Sequence, residues 1–218
     1  MPEISIIIPQ HRHSSLTQQA VKSLLECHQE SHPGSLEILV IDDGSPFPEL
    51  RNLHALQNRN VSLIHLPRRC GVTAAWNVGA RQARGSILIF LNNDTFSTAA
   101  WMESLIAPLR ERTALMTAPE FRRERELPME YSAVLSGWCM ALRAETFRGA
   151  GGFDERFRLY FSDTDLQLRL RHQSAAALAG CSPLPLKHLG HRSTKELPAR
   201  SAEWRRDRNR FREKWRLE

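Results

Sequence analysis

The stretch Ser86-Ile-Leu-Ile-Phe-Leu-Asn92-Asn93-Asp94-Thr95 constrains the fold more than any other part of the chain. An unbroken apolar run of strand length reads as a fully buried strand. It stops abruptly at polar and acidic residues. In an open α/β sheet, ligands bind at the carboxyl ends of the strands. A carboxylate on the turn after such a strand can hold a divalent cation against a phosphate. The same three residues also suit a polar turn and helix cap.

Three more strands precede it. Glu3-Ile-Ser-Ile-Ile-Ile-Pro9 ends in a proline, Leu36 to Asp42 runs into Asp42-Asp43-Gly44-Ser45, and Val61 to His65 is short. Helix-like segments lie near Ser15 to Gln29, Phe47 to Gln57 and Thr73 to Arg84. Strands alternating with helices predict an α/β fold with a mostly parallel sheet and right-handed crossovers. Two of the four strands end in acidic clusters, and both clusters fall on the ligand edge of that sheet.

A length of 218 residues suits one domain with a sizeable core. The four cysteines, Cys27, Cys70, Cys139 and Cys181, form no Cys-x-x-Cys pair, which favours reduced thiols over a zinc site or disulfides. No apolar run is long enough for a bilayer, and the amino terminus starts directly with a strand and shows no signal sequence. These features predict a cytoplasmic protein. The net charge of +6 is uneven, with +4 in the stretch from Arg200 to Glu218. There Trp204, Arg208, Phe211 and Trp215 fall on one helical face. A terminal helix docking its aromatics on the domain is expected, with peripheral contact to an anionic inner membrane face as a second use of the arginines. Nucleic acid is not expected as a partner, because no nucleic-acid module accompanies the charge.

In this order and at these spacings the motifs resemble the family 2 glycosyltransferases of the GT-A fold. The resemblance covers roughly residues 3 to 194. It runs from the strand ending at Pro9 through Asp42-Asp43-Gly44-Ser45, Gly71 to Gly79 and Ala83-Arg-Gly85. Asn92-Asn93-Asp94 then stands at the family's Asp-x-Asp metal motif. Ser136-Gly137-Trp138, Gly151 to Glu155, Ser162-Asp163-Thr164-Asp165 with Arg169, and His188 to Ser193 complete the series. The resemblance implies a GT-A domain over 1–198, with a nucleotide-sugar-binding half over 1–95 and an acceptor and catalytic half over 96–198. A basic helix over 199–218 follows.

The resemblance implies inverting transfer of a sugar from a UDP- or dTDP-linked donor to an acceptor hydroxyl, in bacterial polysaccharide or glycoconjugate synthesis. The acceptor would be a lipid-linked saccharide or a protein. Asp94 would hold Mg2+ or Mn2+, and His188 lies where some relatives place a further metal ligand. Asn92 stands where the family often has its first Asp, and its amide suits a ribose hydroxyl or a metal-bound water. Pro9, Asp42 and Asp43 would form the base pocket, with Asp42 accepting from the imide N–H of uracil or thymine. Simple turn chemistry suits Asp43-Gly44-Ser45 equally. Arg69, Asn77 and Asn93 would lie near the nucleotide, and Trp76 in the core. Gly137 and Trp138 would floor the acceptor site.

Asp163 is the expected catalytic base. It opens a helix whose Leu166 and Leu170 follow at i+3 and i+7, which puts it on the apolar, inward face. Asp165 is the alternative base, and an ordinary helix cap is the plainer role for Asp163. Two other functions compete. A nucleotidyltransferase would carry a Gly-rich basic loop after the first strand, where this chain reads Gln10-His-Arg-His-Ser14. A non-catalytic nucleotide-sugar-binding domain of a larger synthase would have no need of Asp163.

Overall fold

The computed structural model describes residues 2–28, 36–174, 177–190 and 200–217. Its first half follows the expected alternation: β1 (Ile4–Gln10), α1 (Ser14–His28), β2 (Leu36–Asp42), α2 (Phe47–His54), β3 (Val61–His65), α3 (Val72–Gln82) and β4 (Ile87–Leu91). After it come β5 (Thr95–Ser97), α4 (Met102–Arg110), β6 (Met116–Ala118), β7 (Phe121–Arg123), β8 (Ala133–Leu135), β9 (Cys139–Arg143) and α5 (Ala144–Gly149). The last elements are α6 (Ser162–Arg171), β10 (Leu178–Gly180), β11 (Leu186–His188) and α7 (Arg200–Trp215).

Seven strands form one sheet in the order β10-β6-β9-β4-β1-β2-β3. All pairings are parallel except those of β9, which runs antiparallel to both β4 and β6. Every residue of β1, β2 and β4 is buried, because helices cover both faces. Ile4, Ile6 and Ile8 meet α1 and α4 on one face, while Ile7 meets α3 on the other. Helix α3 rides close to the sheet at Gly79, where a Cβ would stand 2.3 Å from Ile7 Cγ2. Any side chain there would lift the helix off the strands.

The register opens the ligand site. β1 pairs with β4 only as far as Ile7↔Phe90, whereas its pairing with β2 continues to Gln10↔Asp42. Beyond Ile7 the two central strands therefore part at their carboxyl ends, as a ligand crevice requires. Two small ribbons feed this edge. β5 and β11 pair antiparallel with His188 opposite Thr95, and β7 and β8 pair with Arg122 opposite Val134.

Candidate active site

The crevice between the parted strands is a cleft of about 1400 Å3. Pro9, Asp43, Arg69, Asn92, Gly137, Trp138, Asp163 and His188 line it, together with Trp204 and Arg205 of α7. Candidates named from seven separate stretches of sequence thus line one cleft. An ordinary small-ligand pocket holds about 300–1,000 Å3, so this one has room for two substrates.

Strand β4 ends at Leu91, and the turn that follows divides its three polar residues. The backbone N–H of Asn92 donates to the Trp138 carbonyl at 2.8 Å, and Asn92 borders the cleft. Asn93 points the other way, its amide donating to Thr17 Oγ1 of α1 at 3.1 Å. Asp94 is 2 % exposed, with Oδ1 at 3.1 Å from Nε2 of His188. The β5–β11 register makes this meeting, and the Leu189 N–H reinforces it by donating to the Asp94 carbonyl at 2.9 Å. The His188 ring stacks on the Trp138 indole.

The Asp94 carboxylate suits Mg2+ or Mn2+, and the imidazole beside it is the softer ligand of the two. Among the described residues no group of three or more His, Cys, Asp or Glu side chains converges. A cation here would take Asp94 and His188 from the protein and its remaining ligands from diphosphate and water. His191, the neighbouring candidate, lies outside the described residues.

The sequence puts both Asp42 and Asp43 in the base pocket, and only Asp43 lines the cleft. Asp42 is fully buried; Oδ2 accepts from the Ser45 N–H at 3.1 Å and lies 2.7 Å from His65 Nδ1, while Oδ1 accepts from the Gln10 amide. Asp43 is the one on the cleft wall. It holds the next loop in place by accepting from the backbone N–H groups of Cys70 at 2.5 Å and Gly71 at 2.8 Å. Its oxygens keep lone pairs for a further donor. Beside it His11 touches the Asp43 carbonyl at 2.8 Å, and burial lowers its pKa below the ordinary histidine value. Asn77 is likewise turned inward. It bridges the Phe153 backbone and Glu155, and so ties α3 to the Gly151-Gly152 turn. Trp76 packs against Phe90 and Phe153, as expected, with one edge on the cleft.

Helix α6 delivers Asp163. Its N-cap is Phe161, in the left-handed region at φ 65°, with no side-chain cap bond. Asp163 sits in the first turn, 15 % exposed at the side chain. Gly137 presses on it so closely that a Cβ there would come within 2.3 Å of Oδ2. Arg122 reaches Oδ2 at 3.4 Å and Thr164 Oγ1 at 3.1 Å. Burial works against the Arg122 charge, but the Asp163 and Glu124 carboxylates outweigh it and raise its pKa above the ordinary value. Asp165 faces away from the cleft, fully buried among Arg169 Nε at 2.9 Å, Lys214 Nζ at 2.6 Å and Trp215 Nε1 at 3.0 Å. That removes it as an alternative base.

Sequence reasoning missed Arg122 and the acids of α7. Asp207 is fully buried, and its Oδ2 accepts three successive backbone N–H groups, from Arg158 at 3.2 Å and from Leu159 and Tyr160 at 3.0 Å. Glu203 pairs with Arg69 at 3.5 Å. An acid four residues after another in a basic helix was a visible signal, but nothing in the sequence named its partners.

The pattern of glycosyl transferase family 2 matches residues 5–167, three quarters of the chain. The chain belongs to that family. Curated relatives include the pre-mycofactocin glycosyltransferase of Mycobacterium tuberculosis, 23 % identical over 88 % of this chain and 43 % of the relative. The O-antigen biosynthesis protein RfbC of Myxococcus xanthus is 28 % identical over 79 % of this chain and 16 % of its own length. Family members therefore extend well beyond the span this chain covers. Solved structures share its GT-A-type fold. A mannosyltransferase of Pyrobaculum calidifontis in complex with GDP-Man and Mn2+ superposes with a TM-score of 0.66 at 17 % identity, covering 84 % of this chain and 55 % of that one. GalNAc-T7 with UDP, GalNAc and Mn2+ gives 0.67 at 18 % identity, covering 86 % of this chain and 44 % of that one. Helix α7 lies beyond the stretch that the family pattern matches.

Proposed function

We propose that this chain is the catalytic part of an inverting, metal-dependent glycosyltransferase that takes a UDP- or dTDP-sugar and glycosylates an acceptor hydroxyl. The observation that carries the reading is the single cleft in which Asp43, Asn92 and His188 share a wall with Asp163. The O-antigen relative supports a role in polysaccharide or glycoconjugate synthesis, with a lipid-linked saccharide or a protein as acceptor. Among the described residues no helix is long and apolar enough to cross a membrane. Exposed arginines of α7 would give a weak, salt-sensitive attraction to an anionic lipid surface.

Pro9 and Asp43 would receive the base, with Asp43 accepting from the imide N–H. That moves the role from Asp42, whose oxygens are engaged inside. Arg69, steadied by Glu203, would meet base or phosphate. Asp94 and His188 would hold Mg2+ or Mn2+, which when bound supplies charge neutralisation for the leaving diphosphate. The Asp163 carboxylate would take the proton of the acceptor hydroxyl. The acceptor oxygen then bonds to the anomeric carbon from the face opposite the diphosphate. The old carbon–oxygen bond breaks with its electron pair going to the diphosphate.

Calorimetry tests the donor side. UDP, dTDP and GDP are titrated into wild type and Asp94→Ala, with Mn2+ and with EDTA. Expected is tight binding of UDP or dTDP only in wild type with metal. Equal affinities in all four combinations would remove the metal role.

A further inference from the structure

We infer that Trp204 and Arg205 of α7 form an acceptor subsite that takes a sugar ring, so that the acceptor is a saccharide and not a peptide or a bare lipid hydroxyl. The inference rests on the reading of the cleft as a glycosyl-transfer site and names its second substrate. Trp204 lines the cleft and is 39 % exposed. Phe211, seven residues on, is fully buried.

The ring is held, not loose. Its centroid lies 6.4 Å from that of Phe161, and the Arg208 guanidinium sits over it at 5.4 Å. Phe161 directly precedes Ser162 and Asp163, and all three border the cleft. Asp207 clamps α7 to the backbone of Arg158, Leu159 and Tyr160 through three hydrogen bonds. The indole is thereby fixed relative to the proposed base. A rigid, half-exposed indole is a stacking surface for the C–H face of a pyranose, at low entropic cost.

The rest of the wall decides the ligand class. Beside the aromatics and apolar residues such as Val72 and Leu159, it carries guanidinium and carboxylate groups, among them Arg123, Arg125 and Glu120. Forked donors and paired acceptors suit the adjacent hydroxyls of a sugar. An extended peptide would commonly seek an exposed sheet edge or an apolar groove.

The test uses the five indole N–H resonances of the ¹⁵N-labelled full chain with UDP and Mg2+ present. Trp204→Phe assigns the Trp204 signal. Methyl glycosides of glucose, galactose, mannose, rhamnose and N-acetylglucosamine are titrated in turn, beside a Ser/Thr peptide and an alkyl phosphate. Expected is a saturable shift of the Trp204 signal with at least one glycoside and none with peptide or alkyl phosphate. Affinity for that glycoside should fall about tenfold in Trp204→Ala and be largely kept in Trp204→Phe. A Trp204 signal unmoved by every glycoside overturns the subsite, as does one moved equally by the peptide, or a Trp204→Ala variant that binds as wild type. UDP addition is read separately in the same spectra. If UDP moves no signal while a glycoside moves Trp204, the donor reading fails and the saccharide subsite stands.

Discussion

The Trp138 indole and the His188 imidazole lie face to face, with centroids 5.0 Å apart and planes 9° from parallel. The stack fixes the plane of the ring whose Nε2 meets Asp94. Groups that orient a metal ligand typically matter about 10- to 100-fold in metal affinity. Trp138→Ala should therefore weaken Mn2+-dependent UDP binding by about that much and leave metal-free binding unchanged. Calorimetry with and without EDTA reads both, and an unaltered Mn2+ increment would sever Trp138 from the metal site.

Asp163→Asn keeps the shape of the side chain and cannot take a proton. Turnover should fall by about 10²- to 10⁴-fold with donor affinity retained. Turnover near the wild-type rate would remove Asp163 as the base.

Gly137→Ala tests the same carboxylate from its other side. The new methyl group would need the space that Asp163 Oδ2 fills, at 2.3 Å. The carboxylate must swing or the strand end must shift. Expected is a drop in kcat with little change in UDP affinity. An equal loss in both would point to general disruption.

Asp207→Ala strips the acceptor from three N–H groups ahead of Phe161. Each buried donor left unpaired costs about 1–3 kcal/mol. The melting temperature should drop by several degrees, and kcat should fall further than donor affinity. Unchanged kcat in the folded variant would show that the turn keeps its shape without the clamp.

Glu37 supplies the pH dependence. Burial raises its pKa, but the Ser5 hydroxyl and the Arg84 backbone N–H and guanidinium pull it down, leaving it lowered overall. A carboxyl lowered by folding adds stability above its unfolded value, about 4.3, and loses it as pH falls through the folded value. The melting temperature should therefore fall more steeply below about pH 4 in wild type than in Glu37→Gln. Parallel curves would mean the group is not perturbed by folding.

The first four strands were legible chiefly because β1, β2 and β4 are buried on both faces and read as nearly unbroken apolar runs. The four expected strands differ from β1 to β4 by no more than one residue at either end. Strands β6 and β10 are three residues each, too short for a periodic signal, and β9 gives no hint that it runs antiparallel. Strand-end position brought Pro9, Asp43 and Asn92 to the cleft, whereas Asp42, Asn93 and Asp94 do not line it. It could not say which way Asp42 and Asp43 face, because a turn with Gly44 at φ 68° settles that after the strand has ended. The tail was read from its aromatics, and Phe211 packs as expected. Its acids, Glu203 and Asp207, act on partners far away in sequence that no local pattern names.

The clamp at Asp207 also sets an order in time. The turn around Phe161 precedes α7 in the chain and is synthesised first. Until α7 docks, the N–H groups of Arg158, Leu159 and Tyr160 lack their Asp207 acceptor, and Phe161 lacks the Phe211 ring that stacks on it. Asp163, which follows that turn, is not steadied by the clamp until α7 docks. A chain that stops before α7 would therefore lack the clamp behind the turn that leads to Asp163.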